Sequence, residues 1–365
     1  MHPRLILGIA MLLAACEAPP PATPDAPLSE RLGATDTVGY ARAVAPRRFA
    51  FPADHGPHPA YRNEWWYFTG NLATPDGRRF GYQVTLFRIA LRPQPPDRAS
   101  AWGMRDLWMG HVALSDAQAA RHLAAERFAR AAAGLAGSQT DPLRIWLEDW
   151  QIERSAAGWR LDVDAGTFAL KLDLRPQRPP VLQGEAGLSR KSAAPGNASY
   201  YYSVPRLATR GQLRLDGVEF ALDGLSWLDR EWSTSALAAN QAGWDWFALQ
   251  FADGRDLMYY RLRRTDGGTD PLSAGSLTWP DGHSEPLHAR RLQLTPARWW
   301  QADDGTRYPV AWDLTLDGSE RWHVSAVFDD QRMDVSVRYW EGMVTVEDAS
   351  SGRELGRGYL ELAGY

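Results

Sequence analysis

The chain has 365 residues, with 40 basic and 44 acidic side chains and a formal net charge of -4 at pH 7. This near balance excludes the strongly basic surface on which nucleic-acid-binding proteins depend. The hydrophobic fraction of 44% is ordinary for a globular protein, and the length leaves room for two domains of about 150 residues each. The unusual feature is the aromatic content, with 17 Trp, 13 Tyr and 11 Phe.

Residues 1–16 (MHPRLILGIAMLLAAC) have the features of a secretory signal peptide. Arg4 supplies a positive charge, and the apolar stretch that follows is well short of the ~20 residues needed to span a bilayer. The tetrapeptide LAAC resembles the bacterial lipobox, in which the cysteine is lipidated and becomes the new N-terminus. We therefore expect a lipoprotein of the cell envelope, anchored through Cys16 on the periplasmic side. Glu17, in place of an Asp, favours the outer membrane.

Residues 17–48 predict a tether, because their first half is rich in Pro and Ala and such linkers are semi-extended. Folded sequence is expected from Phe49 onwards. Cys16 is the only cysteine of the chain, so once it carries a lipid the mature protein has no internal disulfide. Its stability must then come from burial.

Beyond the tether, apolar and polar residues alternate, which predicts β-strands. The clearest examples are residues 64–72, 80–88, 244–251, 257–263 and 322–328. Asp-Gly turn signals recur between the strands. One segment, residues 116–133 (DAQAARHLAAERFARAAA), instead predicts a helix that ends at Gly134.

The strand pattern contains an internal repeat. In each copy an aromatic strand (EWWYF or WDWF) is followed by an Asp-Gly-Arg turn and a second strand (FGYQVTLFR or DLMYYRLRR). The copies lie roughly half the folded length apart, which predicts two related all-β domains. We place these domains at residues 49–212 and 213–365. Barrels or sandwiches suit short strands with aromatic faces, since both limit exposed strand edges.

Several enzyme classes are excluded because their motifs are missing. The sequence contains no Gly-x-Ser-x-Gly elbow, P-loop, dinucleotide-binding glycine fingerprint or His-Glu-x-x-His helix. Lipidation of Cys16 would remove the only thiol as a nucleophile or metal ligand. His55 and His58 have a spacing that metal sites use, but they lie in a loop where histidines are usually solvated. We expect neither a metal nor an organic cofactor.

The remaining candidates for catalysis are three carboxylates among aromatic residues: Asp245, Glu64 and Glu231. Alternate residues of a strand share a face, so Asp245 is expected to point with Phe247 and away from Trp246. Burial on an apolar face would raise the pKa of Asp245, and in the same way that of Glu64, and keep the acid protonated. The alternative is an ion pair with a nearby arginine, and taken singly each carboxylate is better explained in this way.

The ligand-binding candidates are aromatic residues of the same segments: Trp66, Trp232, Trp244, Trp246 and Tyr201. Their rings would line an apolar pocket or stabilise a cation through their π faces. The alternative is that they form ordinary hydrophobic core.

Long motifs of this chain resemble those of the AttH-type lipocalin-like proteins, which are related to carotenoid 1,2-hydratases and are often labelled secreted hydrolases. The motifs are NEWWYFTGNL, VLQGEAGLSRKSAAPGNASYYYSVPRL, DREWSTSAL, GWDWFALQF and GYLELAGY, and the resemblance extends from Tyr61 to Tyr365. It implies two lipocalin-like β-barrels packed together and no cofactor. Hydratases of this group add water to a double bond, and fungal relatives cyclise polyenes. Many bacterial members are encoded beside an export ABC transporter.

Three functions remain open. The first is a lipoprotein that binds a hydrophobic small molecule or lipid in a barrel pocket or between the barrels. The second is a cofactor-free hydratase or cyclase acting on an isoprenoid or polyene. In that case Asp245 would protonate the alkene and tryptophans would stabilise the resulting cation. The third is a non-enzymatic partner of an export ABC transporter, with barrels filled by their own aromatic side chains.

Overall fold

The structure, a computed structural model, describes residues 37–94, 103–234 and 237–365. The expected signal peptide, the lipidation site Cys16 and most of the tether lie outside these ranges. Within them the chain forms antiparallel strands and a short 3-10 helix (Ala53–His55), and no described helix is long and apolar enough to cross a membrane.

Two separate antiparallel sheets contain all the named strands. The first sheet comprises β1 (Asn63–Ala73), β2 (Arg79–Ala90), β3 (Asp106–Asp116), β4 (Arg121–Arg130), β5 (Ala136–Thr140), β6 (Leu143–Leu147), β7 (Trp150–Ser155), β8 (Gly158–Asp164), β9 (Phe168–Pro176), β10 (Val181–Leu182), β11 (Leu188–Arg190), β12 (Ala198–Leu215) and β13 (Val218–Ser233). The second comprises β14 (Gln241–Phe251), β15 (Asp256–Arg264), β16 (Ala274–Thr278), β17 (Ser284–His288), β18 (Leu292–Gln301), β19 (Arg307–Leu316), β20 (Glu320–Ala326), β21 (Arg332–Met333), β22 (Tyr339–Asp348) and β23 (Glu354–Ala363).

Each sheet curls around its own apolar core. In the first sheet β6 packs across the curl against β2, β3 and β4, although it is far from them in the strand order. In each sheet, the strand that comes first in the chain pairs with the strand that comes last, β1 with β13 and β14 with β23. The β1–β2 and β14–β15 hairpins occupy equivalent positions in their sheets, in agreement with the internal repeat. The expected all-β fold of two lipocalin-like barrels is confirmed.

The barrel interiors are filled by large side chains. Trp66, Trp108, Trp150 and Trp232 are at most 1% exposed and belong to the core of the N-terminal barrel. The C-terminal barrel has a corresponding core, which includes Trp312, Trp322 and Trp340. Alternation along each strand directs these rings inward, and burial of such rings is the main source of stability for a chain without disulfides.

The outward faces of several strands pack the two barrels together. A separate apolar cluster in this seam includes Tyr67 and Tyr201 from the N-terminal barrel and Trp246, Met258 and Tyr359 from the C-terminal barrel. Strands such as β1, β2, β12, β14, β22 and β23 are therefore buried on both faces.

The predicted helix over residues 116–133 is wrong. The segment contains the end of β3, a turn and β4, which pairs with β3 along its whole length. Ala, Arg and Glu favour helices in isolation, but β4 is the edge strand of a sheet, and cross-strand pairing outweighs these weak local preferences.

The expected domain boundary at residues 212 and 213 falls inside β12. This strand forms a long hairpin with β13, and β13 in turn pairs with β1. Both strands thus belong to the first sheet, and the chain passes to the second sheet between Ser233 and Gln241. The composition of the hairpin gives no sign of this, because the change of sheet depends on which strand β13 pairs with.

Candidate functional site

A cavity of about 270 Å³ lies between the two barrels. Its wall is formed by outward-facing residues of β1, β2, β3, β12 and β13 from one barrel and β14, β15, β22 and β23 from the other. Half-buried residues such as Asn63, Ile89, Leu237 and Val337 lie towards its rim, whereas Tyr67 and Glu341 are buried in its wall. The apolar part of the wall is larger than the polar part, which suits an apolar ligand.

Strand alternation explains how each polar group reaches the cavity. On β13, Asp229 and Glu231 point to the cavity, while Arg230 and Trp232 point into the N-terminal barrel. On β22 and β23, Glu341 and Glu361 face the cavity and stand directly opposite each other. The seam therefore contains four carboxyl groups among aromatic side chains.

Glu341 is the most deeply buried of these acids. Its side chain is 0% exposed, and Tyr67 donates a hydrogen bond to Oε1 at 2.5 Å. The second oxygen, Oε2, has no hydrogen-bond partner among the described residues, and the Tyr339 hydroxyl that faces the carboxyl is bonded to His111 at 2.8 Å. Burial, followed by the charge of Glu361, raises the pKa of Glu341 well above its usual range. Burial thus favours the neutral form of Glu341, which accepts one hydrogen bond from Tyr67 and has an O–H left to donate.

The pKa values of Glu361 and Asp229 lie close to neutral pH. Burial raises the pKa of Glu361 to about 7, against the effect of the Trp244 indole, which donates to Oε1 at 2.7 Å. Burial likewise raises the pKa of Asp229 to about 7. Asp229 accepts hydrogen bonds from Ser203 (2.6 Å), Trp227 (2.7 Å) and Tyr201. Carboxyl groups poised in this way exchange protons readily at neutral pH.

Glu231 forms an ion pair with a lysine on the same wall. Lys191 Nζ lies 3.2 Å from Glu231 Oε1 and 4.6 Å from the centroid of the Tyr260 ring. The predicted catalytic residue Glu231 thus lines the cavity as one half of an ion pair. Its role in catalysis stays a prediction.

Three of the five predicted ligand-binding aromatics line the cavity: Tyr201, Trp244 and Trp246. The Trp246 indole donates to the Tyr201 hydroxyl at 3.1 Å, and its ring meets Tyr67 edge to face at 5.2 Å. The other two, Trp66 and Trp232, point into the core of the N-terminal barrel.

Glu64 borders the cavity, but its carboxylate is directed into the N-terminal barrel. Arg230 Nη2 donates to Oε2 at 2.5 Å, Arg88 donates to Oε1, and the His58 backbone N–H donates to Oε2 at 2.9 Å. Burial alone would raise the pKa of Glu64, but the two guanidinium groups outweigh it and the pKa lies below its usual range. The expected upward shift is wrong because the compensating arginines come from β2 and β13.

Asp245 lies in the C-terminal barrel, on the same strand face as Phe247, as the alternation predicts. It is not among the residues that line the cavity. Arg261 Nε donates to its Oδ2 at 2.6 Å, Tyr365 donates to Oδ1 at 2.5 Å, and Arg263 Nε lies 3.3 Å from Oδ1. This is the ion-pair environment that was the alternative for Asp245, and its proposed catalytic role remains a prediction.

Sequence reasoning missed Glu341, Glu361 and Tyr339 as candidates. The available signal was a lone acid within the apolar strands YWEGMVTV and YLELA, similar in pattern to the WDWF segment. Nothing in those segments shows that the two glutamates stand opposite each other. Among the described residues no group of three or more His, Cys, Asp or Glu side chains has the arrangement of a metal site.

A sequence profile described as AttH-like matches residues 42–365. This chain belongs to the AttH-like family. An AttH-type protein of Nitrosomonas europaea of known crystal structure is 35% identical, with 89% of this chain and 99% of that chain aligned at a TM-score of 0.78.

This AttH-like protein is also similar to kievitone hydratase, in sequence over part of the chain and in fold. Kievitone hydratase of Fusarium solani subsp. phaseoli is 23% identical over 184 residues, which cover 45% of this chain and 49% of the relative. The chain thus matches about half the length of that curated relative. The crystal structure of kievitone hydratase from Nectria haematococca is 14% identical and covers 89% of this chain and 96% of its own, with a TM-score of 0.67. This second match shows a shared fold.

Proposed function

We propose that this protein is a cofactor-free hydratase that adds water to a carbon–carbon double bond of an apolar substrate held between the barrels. The observation that carries the proposal is Glu341, a fully buried carboxyl group on the wall of an aromatic cavity, with one oxygen that has no hydrogen-bond partner among the described residues. The hydratase named among the relatives supports the reaction type. An isoprenoid or polyene is the substrate class that the family resemblance favours.

The first chemical step needs an acid that can protonate carbon. The Glu341 O–H donates its proton to one alkene carbon, whose new C–H bond uses the π electrons, and the other carbon becomes a cation. Tyr67 remains bonded to Oε1 and stabilises the carboxylate that forms. A positioned general acid contributes roughly 10²- to 10⁴-fold to a rate.

The cation is formed among aromatic rings. Trp244, Trp246 and Tyr67 line the cavity, and the negative faces of such rings attract a cation. The hydrogen bonds from Trp246 to Tyr201 and from Tyr201 to Asp229 hold the Trp246 indole in a single orientation. The apolar wall also excludes all but the reacting water, which limits side reactions.

Water capture completes the addition. The water oxygen bonds to the cationic carbon, and one of its protons passes to the Glu361 carboxylate. Residues directly opposite on antiparallel strands have Cβ atoms about 5 Å apart, so Glu361 and Glu341 are close enough to titrate as a pair. Glu361 then releases its proton to solvent when the product leaves, and Glu341 takes up one proton, which restores the starting state. Atoms and charge balance without a cofactor.

A ligand-binding lipoprotein without catalysis is the second candidate. The predominantly apolar wall of the cavity supports it, independently of any acid. The lipid anchor on Cys16, a periplasmic location and an association with an export ABC transporter rest on the N-terminal sequence and on the family resemblance. We retain them as parts of the proposal.

The test compares Glu341→Gln with Asp245→Asn, the acid that sequence reasoning favoured. Wild-type protein is incubated with kievitone and, separately, with an acyclic polyene, and mass spectrometry follows the gain of one water. We expect Glu341→Gln to keep its fold and its tryptophan quenching by the ligand while turnover falls by about 10²- to 10⁴-fold. A fully active Glu341→Gln protein would refute this role. Binding of both compounds without any addition of water by the wild type would favour the binding lipoprotein.

A further inference from the structure

A chain of hydrogen bonds leads from the cavity wall to the protein surface. His111 Nδ1 and the Tyr339 hydroxyl are 2.8 Å apart, and His111 Nε2 and Glu126 Oε1 are 2.9 Å apart. The Tyr339 hydroxyl also faces the carboxyl of Glu341, two residues further along the same face of β22. Four groups that can each donate and accept a proton therefore stand in series.

The outer end of the series is its most exposed part. Glu341 is 0% exposed, Tyr339 8% and His111 1%, whereas the Glu126 side chain is 17% exposed. His111 and Glu126 stand directly opposite each other on β3 and β4, so the sheet itself fixes their contact. Ser336 anchors the outer end, since its hydroxyl donates to Glu126 Oε1 at 2.6 Å.

The reaction between the barrels creates a need for such a path. An apolar ligand that fills the cavity displaces water from the side on which Glu341 would otherwise meet solvent. Tyr339 and His111 border the cavity beside Glu341, and from them the series leads across β3 to Glu126 on β4. The other titratable groups that face Glu341 are Tyr67 on β1 and Glu361 and Tyr359 on β23, and none of them is bonded to Glu126.

We propose that Glu126, His111 and Tyr339 form a proton relay that recharges Glu341 from solvent while the cavity is occupied. The relay rests on the proposed function, because only an acid that gives up its proton needs to be recharged. Glu126 and His111 are positioning residues that act through Glu341, and they belong to β4 and β3 of the other barrel. Docking of the two barrels therefore completes the relay.

The transfer is balanced at each link. A proton from solvent on Glu126 passes to His111 Nε2, the Nδ1 proton of His111 passes to the Tyr339 oxygen, and the Tyr339 proton passes to the Glu341 carboxylate. One proton has then moved from solvent to Glu341, and His111 has exchanged one neutral tautomer for the other. Loss of the Nε2 proton to solvent and uptake of a proton at Nδ1 restore the first tautomer.

The experiment is hydrogen–deuterium exchange of the Glu341 carboxyl, followed by infrared spectroscopy after rapid dilution into heavy water. The C=O band of the protonated acid is assigned by its loss in Glu341→Gln. Dodecanol occupies the cavity, and quenching of tryptophan fluorescence verifies its binding. We expect Glu126→Gln to slow the exchange about a hundredfold, as loss of a positioned proton donor does. Tyr339→Phe should slow it equally, and the double variant no further.

Two controls separate the relay from general loosening of the seam. Ser336→Ala removes the hydroxyl contact to Glu126 and keeps both the backbone contact and the carboxylate, and Glu153→Gln removes an exposed carboxylate on β7. Both should exchange like the wild type. Exchange in Glu126→Gln at the wild-type rate would overturn the relay.

The outcomes also distinguish the two proposals. Slow exchange in Glu126→Gln together with no addition of water to any substrate would retain the relay and reject the hydratase. Water addition by the wild type together with unaffected exchange in Glu126→Gln would retain the hydratase and reject the relay. A missing Glu341 band, or failure of dodecanol to bind, would overturn the neutral acid or the apolar cavity on which both depend.

Discussion

Replacement of Glu64 by Gln tests whether this predicted catalytic acid is instead structural. Glu64 is fully buried and accepts hydrogen bonds from Arg88, Arg230 and the His58 backbone. Arg88 has a second carboxylate partner, Asp106, at 2.9 Å. The other acceptors of Arg230 are neutral, among them the Gly56 carbonyl at 2.6 Å.

The expected loss of unfolding free energy follows from this difference between Arg88 and Arg230. Glutamine keeps the shape of Glu64, but its NH₂ group must face the donors of one of the two arginines. Arg230, which is itself 0% exposed, then has no negative partner. Removing one partner of a buried ion pair costs about 3–5 kcal/mol of unfolding free energy. The matched control Glu320→Gln breaks an ion pair with Arg255 (2.7 Å), in which the Glu320 side chain is 38% exposed, and should cost no more than about 1 kcal/mol.

Urea unfolding followed by tryptophan fluorescence measures both variants. The pKa of Glu64 lies below its usual range, so its charge stabilises the native state above pH 4.5 and this contribution is lost on further acidification. The difference between wild type and Glu64→Gln should therefore shrink at acid pH. A variant as stable as the wild type at pH 7 yet inactive would refute this reasoning and would support a catalytic role for Glu64.

The remaining predictions concern Glu361 and Cys16. The pKa of Glu361 is raised from 4.5 to about 7, so its neutral form stabilises the native state, and that contribution is lost as pH rises through this interval. The test compares Glu341→Gln with the double variant Glu341→Gln/Glu361→Gln. Between pH 4 and pH 8, Glu341→Gln should lose more unfolding free energy than the double variant. The difference should be at most about 3 kcal/mol, since cavity water screens part of the effect. An equal pH dependence in the two proteins would contradict the raised pKa. Cys16→Ser should yield an unacylated protein that leaves the membrane fraction, and an unchanged distribution between fractions would rule out the lipid anchor.

Local sequence was sufficient for much of the architecture. The alternation of apolar and polar residues identified β1, β2, β14 and β15, because successive side chains of a strand point to opposite faces. The same rule correctly placed Asp245 with Phe247 and away from Trp246. The repeated hairpin indicated two related halves, and the topology of the two sheets agrees with it. The helix over residues 116–133 failed because helix propensity is a weak preference and β4 obtains its conformation from pairing with β3.

The candidate site was only partly accessible from sequence. Tyr201, Trp244 and Trp246 were selected as aromatics and do line the cavity, but a barrel interior was one of the places expected for a ligand. Both faces of β14 are buried, one in the barrel core and one in the seam, so alternation alone cannot show which face meets a ligand. The pairing of Glu341 with Glu361 is likewise invisible until β22 and β23 are aligned.

The sequence by itself therefore identified several of the strands, the presence of two related halves, the family and the expectation of an exported lipoprotein. Only the tertiary structure decided in which direction the pKa of each buried carboxyl group shifts. The pKa of Glu64 is lowered despite its burial because Arg88 and Arg230 lie next to it, the latter across 166 positions of the chain, whereas the pKa of Glu341 is raised because it is buried and another acid lies opposite it. The charge state of a buried carboxyl depends on the groups that the fold brings within a few ångströms, and residues close in sequence do not reveal those groups.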